Sequence, residues 1–221
     1  MTDAGLALEG ASRRYESCGR TAGLHATDFI LSRGESVLIK GPTGGGKSTL
    51  SRLAALWERP DQGRVLVGGV PVPWRIAHRY RGRAVGYVSQ RILLVPGLSV
   101  RDNLLLALRP LRLGPAESIR RVMVVSTTLG LAELIGQPAG TLSGGQAQRA
   151  AVARAIACEP DVLVADEPTR SLDPEAMTLV REAIQGWRRG TPERSLLLVS
   201  HLPDDRCLAD RTLVLEDGRL R

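Results

Sequence analysis

Eight consecutive residues restrict what this chain can become more than any other feature. Gly41-Pro42-Thr43-Gly44-Gly45-Gly46-Lys47-Ser48 fits the pattern G-x-x-x-x-G-K-[ST], a loop whose backbone N–H groups wrap the phosphates of a nucleoside triphosphate. Such a loop needs a strand before it and a helix after it, so that the helix N-terminus adds partial positive charge on the phosphate side. Both are expected here. Ser36-Val37-Leu38-Ile39-Lys40 is a short apolar run stopped by glycine, as a buried strand is. A helix from about Lys47 to Trp57 follows and ends ahead of Pro60. In this arrangement Lys47 bridges the β- and γ-phosphates, and the Ser48 hydroxyl holds Mg²⁺. A dinucleotide loop of the G-x-G-x-x-G type fits poorly, because its third glycine would have to be Thr49.

The rest of the chain alternates strands and helices. Arg64 to Val67 and Ala84 to Val88 read as strands, and Asp161 to Ala165 and Ser195 to Ser200 as central parallel strands buried on both faces. A helix from Pro174 to Arg189 between the last two gives a βαβ unit. Val162-Leu163-Val164-Ala165 runs directly into Asp166-Glu167-Pro168. That strand delivers Asp166 to the Mg²⁺ shell, while Glu167, one residue later, reaches the water that attacks the γ-phosphate. A base for that step must stand near the nucleophile without ligating the metal. From about Ser99 to Leu134 the pattern changes to leucines at helical spacing, punctuated by Pro110, Pro115 and Gly130. This predicts a helical lobe inserted into an α/β core.

Leu142-Ser143-Gly144-Gly145-Gln146, followed by Ala147-Gln148-Arg149 and a helix over Ala150 to Cys158, closely resembles the signature of ATP-binding cassette (ABC) ATPases. Other elements agree in order. Tyr15 resembles the aromatic that stacks on adenine, Gln90 the Q-loop glutamine, Ser171-Leu172-Asp173 the D-loop, and His201 the switch histidine. The resemblance runs from Tyr15 to the Glu216-Asp217-Gly218-Arg219 hairpin. It implies an α/β fold: a P-loop NTPase core with a mainly parallel sheet, an N-terminal antiparallel β-subdomain and an inserted α-helical subdomain. One nucleotide-binding domain spans 1–221, with the core at about 1–89 and 159–221 and the helical part at about 90–158. The implied ligands are ATP and Mg²⁺. Gly41, Pro42, Thr43, Gly44, Gly45, Gly46, Lys47, Ser48 and Thr49 are expected at the phosphates, and Ser48, Gln90 and Asp166 at the metal. Glu167, His201 and Gln90 are the expected catalytic set.

Ser143 and its glycines open a helix, and so form a second anion site of exposed N–H groups. Two anion sites on one chain suggest that two chains meet head to tail. The resemblance implies the same, with Ser143, Gly144, Gly145, Gln146 and Asp173 of one subunit reaching the ATP held by the other, in a homodimer or a heterodimer. Two positions depart from the family pattern. Ser89 stands where phenylalanine often precedes the Q-loop glutamine, and Arg170-Ser171 replaces the usual Gly-Asn before the D-loop leucine.

Composition narrows the setting. The 221 residues are 43% hydrophobic and 24% charged, usage that excludes global disorder. No run approaches the roughly 18–20 apolar residues that a membrane span needs. Met1-Thr2-Asp3-Ala4-Gly5 carries an acid and no basic flank, unlike a signal peptide. No second cassette, coiled-coil insertion or further C-terminal domain is expected. The expectation is therefore a stand-alone ATPase subunit, cytoplasmic and peripheral on the inner face of the membrane, docked on integral membrane permease subunits. Leu163-Val164-Ala165-Asp166-Glu167-Pro168-Thr169 resembles the lipoprotein-release, macrolide-efflux and division-associated group. The segment from Ile92 to Leu106 is the expected docking groove. A motor for transmembrane signalling without transport is the alternative within the same class, and a soluble nucleic-acid-linked ATPase the alternative outside it.

The net charge of +7 comes from 28 arginines and only two lysines, Lys40 and Lys47, against 23 acids. A blanket arginine preference points to base composition more than to a binding site. The cluster Arg75, Arg79, Arg81 and Arg83, with Trp74 and Tyr80 interleaved, reads as a solvated or membrane-facing surface, and no nucleic-acid partner is expected. Cys18, Cys158 and Cys207 form no C-x-x-C pair and read as reduced thiols.

Overall fold

The computed structural model describes residues 4–17 and 20–221; the readings of Met1-Thr2-Asp3 and of Cys18 lie outside them. In chain order the elements are β1 (Ala4–Ser17), β2 (Arg20–Ser32), β3 (Ser36–Lys40), α1 (Lys47–Ala54), β4 (Gln62–Val67), β5 (Val70–Pro71) and β6 (Val85–Val88). Then come α2 (Val100–Leu108), α3 (Pro115–Thr128), α4 (Gly144–Ile156), β7 (Val162–Asp166), α5 (Pro174–Gly190), β8 (Ser195–Val199), β9 (Arg211–Glu216) and β10 (Arg219–Leu220). An antiparallel sheet has the order β2-β1-β4-β5, and a six-stranded sheet the order β10-β9-β3-β8-β7-β6. All neighbours in the second sheet are parallel except β10, which turns back on β9.

The central strands are apolar on both faces, and their two-residue period splits the core in two. Val37, Ile39, Val164, Leu197 and Val199 pack with Leu50 and Leu53 of α1 and with Leu6, Leu8, Phe29 and Leu31 of the antiparallel sheet. Leu38, Leu163, Ala165, Leu196 and Leu198 face the other way, onto α2, α4 and α5. Each fully buried leucine of this kind is worth about 1.5–3 kcal/mol. The helical segment between β6 and β7 therefore shares one continuous core with the sheet. Register brings the C-terminal ends of the strands level: Ile39 and Asp166 both pair with Val199. The loops that leave β3, β7 and β8 thus emerge side by side, at the edge where open α/β sheets place ligands.

Two helices differ from the sequence reading. Helix α1 stops at Ala54, short of Trp57. Leu56 takes φ 60°, and the N–H groups of both Trp57 and Glu58 donate to Arg52 O, at 2.8 and 3.2 Å. This turn buries Leu56, leaves Trp57 44% exposed, and brings Glu58 onto Arg52 at 3.1 Å. Helix α4 runs Gly144–Ile156 and not Ala150–Cys158; it opens directly after Ser143, as the Ser-Gly-Gly run implied, where Ser143 and Gln146 form a capping box: Gln146 N donates to Ser143 Oγ (3.3 Å) and Ser143 N to Gln146 Oε1 (2.9 Å). Cys158 is buried and Cys207 exposed, both free. Among the described residues no helix is long and apolar enough to cross a membrane.

Candidate functional site

A cleft of about 680 Å³ opens where those three loops meet. Its wall includes Gly41, Pro42, Thr43, Gly44, Gly46, Lys47, Ser48 and Thr49 from the glycine loop and the start of α1, with Tyr15, Gln90, Asp166, Glu167 and His201. The loop is shaped by backbone geometry. Gly46 caps α1 at φ 99°, and a Cβ there would stand 2.5 Å from Gly23 O. Lys47 Nζ lies along the loop and donates to Gly41 O and Pro42 O, both at 2.8 Å. Gly45 is the one loop residue absent from the cleft wall. It is buried beneath the loop, and its carbonyl accepts from Gly218 N at 3.1 Å in the β9–β10 turn.

Asp166 ends β7 and is 1% exposed. Neither of its carboxylate oxygens has a hydrogen-bond partner among the described residues. Burial pushes its pKa above the usual carboxylate range; the nearby Ser48 hydroxyl pulls the other way without bonding either oxygen, and the charge of Glu167 adds to the rise. Mg²⁺ is held through one or two carboxylates plus substrate phosphates, always by oxygen. An orphaned buried carboxylate beside Ser48 and Gln90 fits that donor set.

The backbone of Glu167 turns into the left-handed region at φ 56°, a conformation that costs a non-glycine residue about 1–3 kcal/mol and clusters at functional sites. The turn is held by Glu167 N donating to Val199 O at 2.8 Å and by Gln148 Nε2 of α4 donating to Pro168 O at 3.1 Å. It sets the Glu167 carboxylate against His201, whose Nδ1 lies 2.9 Å from Oε1. Glu167 is buried, while the His201 side chain remains 59% exposed and faces the open cleft.

Tyr15 also lines the cleft, and Arg52 Nη2 donates to its hydroxyl at 3.2 Å. That hydroxyl donates to Glu58, and the guanidinium groups of Arg13 and Arg52 lie 5.4 and 5.6 Å from the ring centre. Burial, and then the Glu58 contact, raise its pKa. Ser89 donates to Arg91 O next to Gln90. Arg52 and Arg170 also line the cleft, and sequence reasoning missed both. Arg170 follows the Asp-Glu-Pro-Thr run, which was its one signal, whereas Arg52 shows only its helical spacing from Lys47.

None of Ser143, Gly144, Gly145 and Gln146 lines this cleft. Ser143 and Gly144 are exposed at the N-terminus of α4. Asp173 is likewise outside it and caps α5, accepting from Ala176 N at 2.8 Å. The two anion sites read from the sequence therefore stand on separate surfaces of one chain.

A family model described as "ABC transporter" matches residues 24–170. The phosphate import ATP-binding protein PstB 2 of Natronomonas pharaonis is 38% identical, over 100% of this chain and 80% of that protein. The lipoprotein-releasing system ATP-binding protein LolD 1 of Rhodopseudomonas palustris is 34% identical, over 97% of each. Among solved structures, a dimeric post-hydrolysis state of the ATP-binding cassette MJ0796 bound to ADP and Pi superposes with a TM-score of 0.90 at 25% identity, covering 98% of this chain and 96% of that one. These relatives include proteins named for import and for lipoprotein release; ATP binding is the common part of their names.

Proposed function

Because this chain belongs to the ABC transporter family, we propose that it is the ATP-hydrolysing subunit of a membrane transporter, acting as a pair of cassettes with two ATPs enclosed between them. The observation that carries the reading is the cleft in which the glycine loop, Asp166, Glu167, Gln90 and His201 converge. The loop N–H groups and Lys47 bind the β- and γ-phosphates, with the N-terminus of α1 adding favourable charge. Ser48, Gln90 and Asp166 would hold Mg²⁺, which offsets phosphate charge. Tyr15 packs against adenine. Glu167 accepts the proton of the attacking water, and His201 orients its carboxylate and donates to the γ-phosphate. Buried and set one residue beyond Asp166, Glu167 is close to the reacting phosphate without being a metal ligand.

The pairing of chains is supported by the exposed signature. Ser143 and the N-terminus of α4 need an anion from outside the chain, and a partner's γ-phosphate supplies one. Docking on a membrane protein is supported by the loop after Gln90, where Ile92, Leu93 and Val95 are 38–43% exposed. Asn103 fixes that loop, accepting from Val95 N at 2.8 Å and donating to Val95 O, Leu98 O and Ser99 O. Peripheral attachment to the membrane follows from that docking.

Phosphate release from Mg-ATP by the purified chain tests the chemistry. Glu167→Gln should bind ATP and lose steady-state turnover, since an amide cannot accept the proton. Lys47→Ala should weaken ATP binding itself. Near-normal turnover by Glu167→Gln would remove Glu167 from the role of base.

A further inference from the structure

Glu167 and His201 stand on two different loops, one following β7 and one following β8, and His201 Nδ1 links them, 2.9 Å from Glu167 Oε1 and 2.8 Å from Oε2. A carboxylate outside the cleft joins the same two loops. Asp205, in the 3-10 turn Pro203–Leu208, is fully buried. Its Oδ2 accepts from Thr169 Oγ1 and from Ser200 Oγ, each at 2.6 Å. Its Oδ1 accepts from Arg181 Nε of α5 at 2.8 Å. Thr169 is two residues beyond Glu167, and Ser200 immediately precedes His201. Ser200 Oγ in turn accepts from Leu202 N at 3.1 Å, which closes the backbone around His201.

We propose that Asp205 is a positioning residue for hydrolysis: one oxygen holds Thr169 and Ser200 together, and this fixes the distance and aim of Glu167 relative to His201. The inference rests on the reading of those two residues as base and orienting partner. Three features of the chemistry support it. Charge-assisted O–H···O⁻ bonds of this length are among the stiffer side-chain contacts available. Arg181 compensates the buried charge from the opposite oxygen, so the hydroxyl side is left to do the bridging. Finally, the strained Glu167 backbone is held at its own N–H by Val199 O, and on its C-terminal side by Gln148 through Pro168 O and by the Thr169–Asp205 bond.

An amide in place of the carboxylate keeps the shape but offers one acceptor oxygen. It cannot serve Arg181 and both hydroxyls at once. Asp205→Asn should therefore leave ATP affinity within about twofold, since the phosphate loop is untouched, and lower single-turnover phosphate release about 10- to 100-fold, the cost of a misplacement of order 1 Å. Thr169→Val should give a smaller loss of the same kind, and Thr169→Ser, which keeps the hydroxyl, should restore the wild-type rate. A carboxylate that only stabilised the fold would lower the thermal stability and folded fraction of Asp205→Asn and Thr169→Val and leave the rate per folded chain unchanged.

The deciding readout is a double-mutant cycle with His201→Ala, with rates expressed per bound nucleotide. If Asp205 acts through the pair, Asp205→Asn adds less than about threefold once His201 is gone; independent effects multiply. The Thr169→Val cycle gives the same answer without disturbing the buried charge, which guards against misfolding of Asp205→Asn. A wild-type rate in Asp205→Asn, multiplicative losses in both cycles, or no rescue by Thr169→Ser would overturn the inference. Those results together with an inactive Glu167→Gln would leave the hydrolysis reading standing, whereas an active Glu167→Gln would overturn that reading first.

Discussion

Replacing Gly46 by alanine asks how firmly the phosphate loop is held by the rest of the fold. The residue caps α1 at φ 99°, and an added Cβ would stand 2.5 Å from the carbonyl oxygen of Gly23 in β2. Two costs follow. A left-handed conformation costs an L-residue about 1–2 kcal/mol, and an overlap with backbone, which no side-chain rotation relieves, costs about 1–3 kcal/mol more. Gly44 is the internal control. It has φ 84° but no atom within 4 Å of the added carbon, so only the first cost applies. For a chain of this length 1 kcal/mol moves Tm by about 2–4 °C, which predicts falls of about 10 °C for Gly46→Ala and about 4 °C for Gly44→Ala. Calorimetry without nucleotide measures both, and an ATP titration of Gly46→Ala should show weaker binding as well. Equal shifts in the two variants, or an unchanged Gly46→Ala, would refute the claim that β2 and the loop share a fixed backbone contact.

Asp166 is raised in pKa by burial, so its folded-state value lies above the unfolded one of about 3.9. Its contribution to stability is thus present below the unfolded pKa and lost as pH rises through the folded one. In EDTA at pH 7, Asp166→Asn should melt roughly a few degrees above the wild type, the gap closing toward acid pH, while hydrolysis is lost. A lower melting point at neutral pH would contradict this. Burial pushes the Cys158 thiol up to about 11, so maleimide at pH 7 should label exposed Cys207 and spare Cys158 in the native protein. Peptide mass mapping that finds Cys158 modified at a similar rate would count against the packing around α4.

The parts of the fold that could be read from the sequence were those where one signal dominated. Unbroken apolar runs placed β3, β7 and β8 to within a residue, because strands buried on both faces need no alternation. β1 and β2 were harder. Their pairing shifts register between Leu8 and Ala11 and again between Ala11 and Arg13, so bulges break the two-residue period that would have marked them. The start of α4 was legible in the Ser143-Gly144-Gly145-Gln146 run, whose ends have the spacing of a capping box. The early end of α1 depends on Arg52 O accepting two N–H groups, a local turn that no motif marks, and on Glu58 reaching Tyr15, which is a tertiary event. The cleft was legible where motif residues lie on loops at strand ends. Arg52 and the Asp205 bridge were not, because Tyr15 is 37 residues from Arg52, and Thr169 and Arg181 are 36 and 24 residues from Asp205.

The composite site is tested most directly by measuring mass and ATP turnover on one sample, by light scattering with phosphate release over a concentration series. If the cleft of one chain is completed by Ser143 and the α4 N-terminus of another, turnover per chain should rise with concentration. In step with it, Mg-ATP should shift the mass from 23.8 kDa toward about twice that value. Ser143→Glu should bind ATP, remain at the lower mass and fail to turn over. A chain that stays at the lower mass and hydrolyses ATP at a full, concentration-independent rate would contradict the two-chain site.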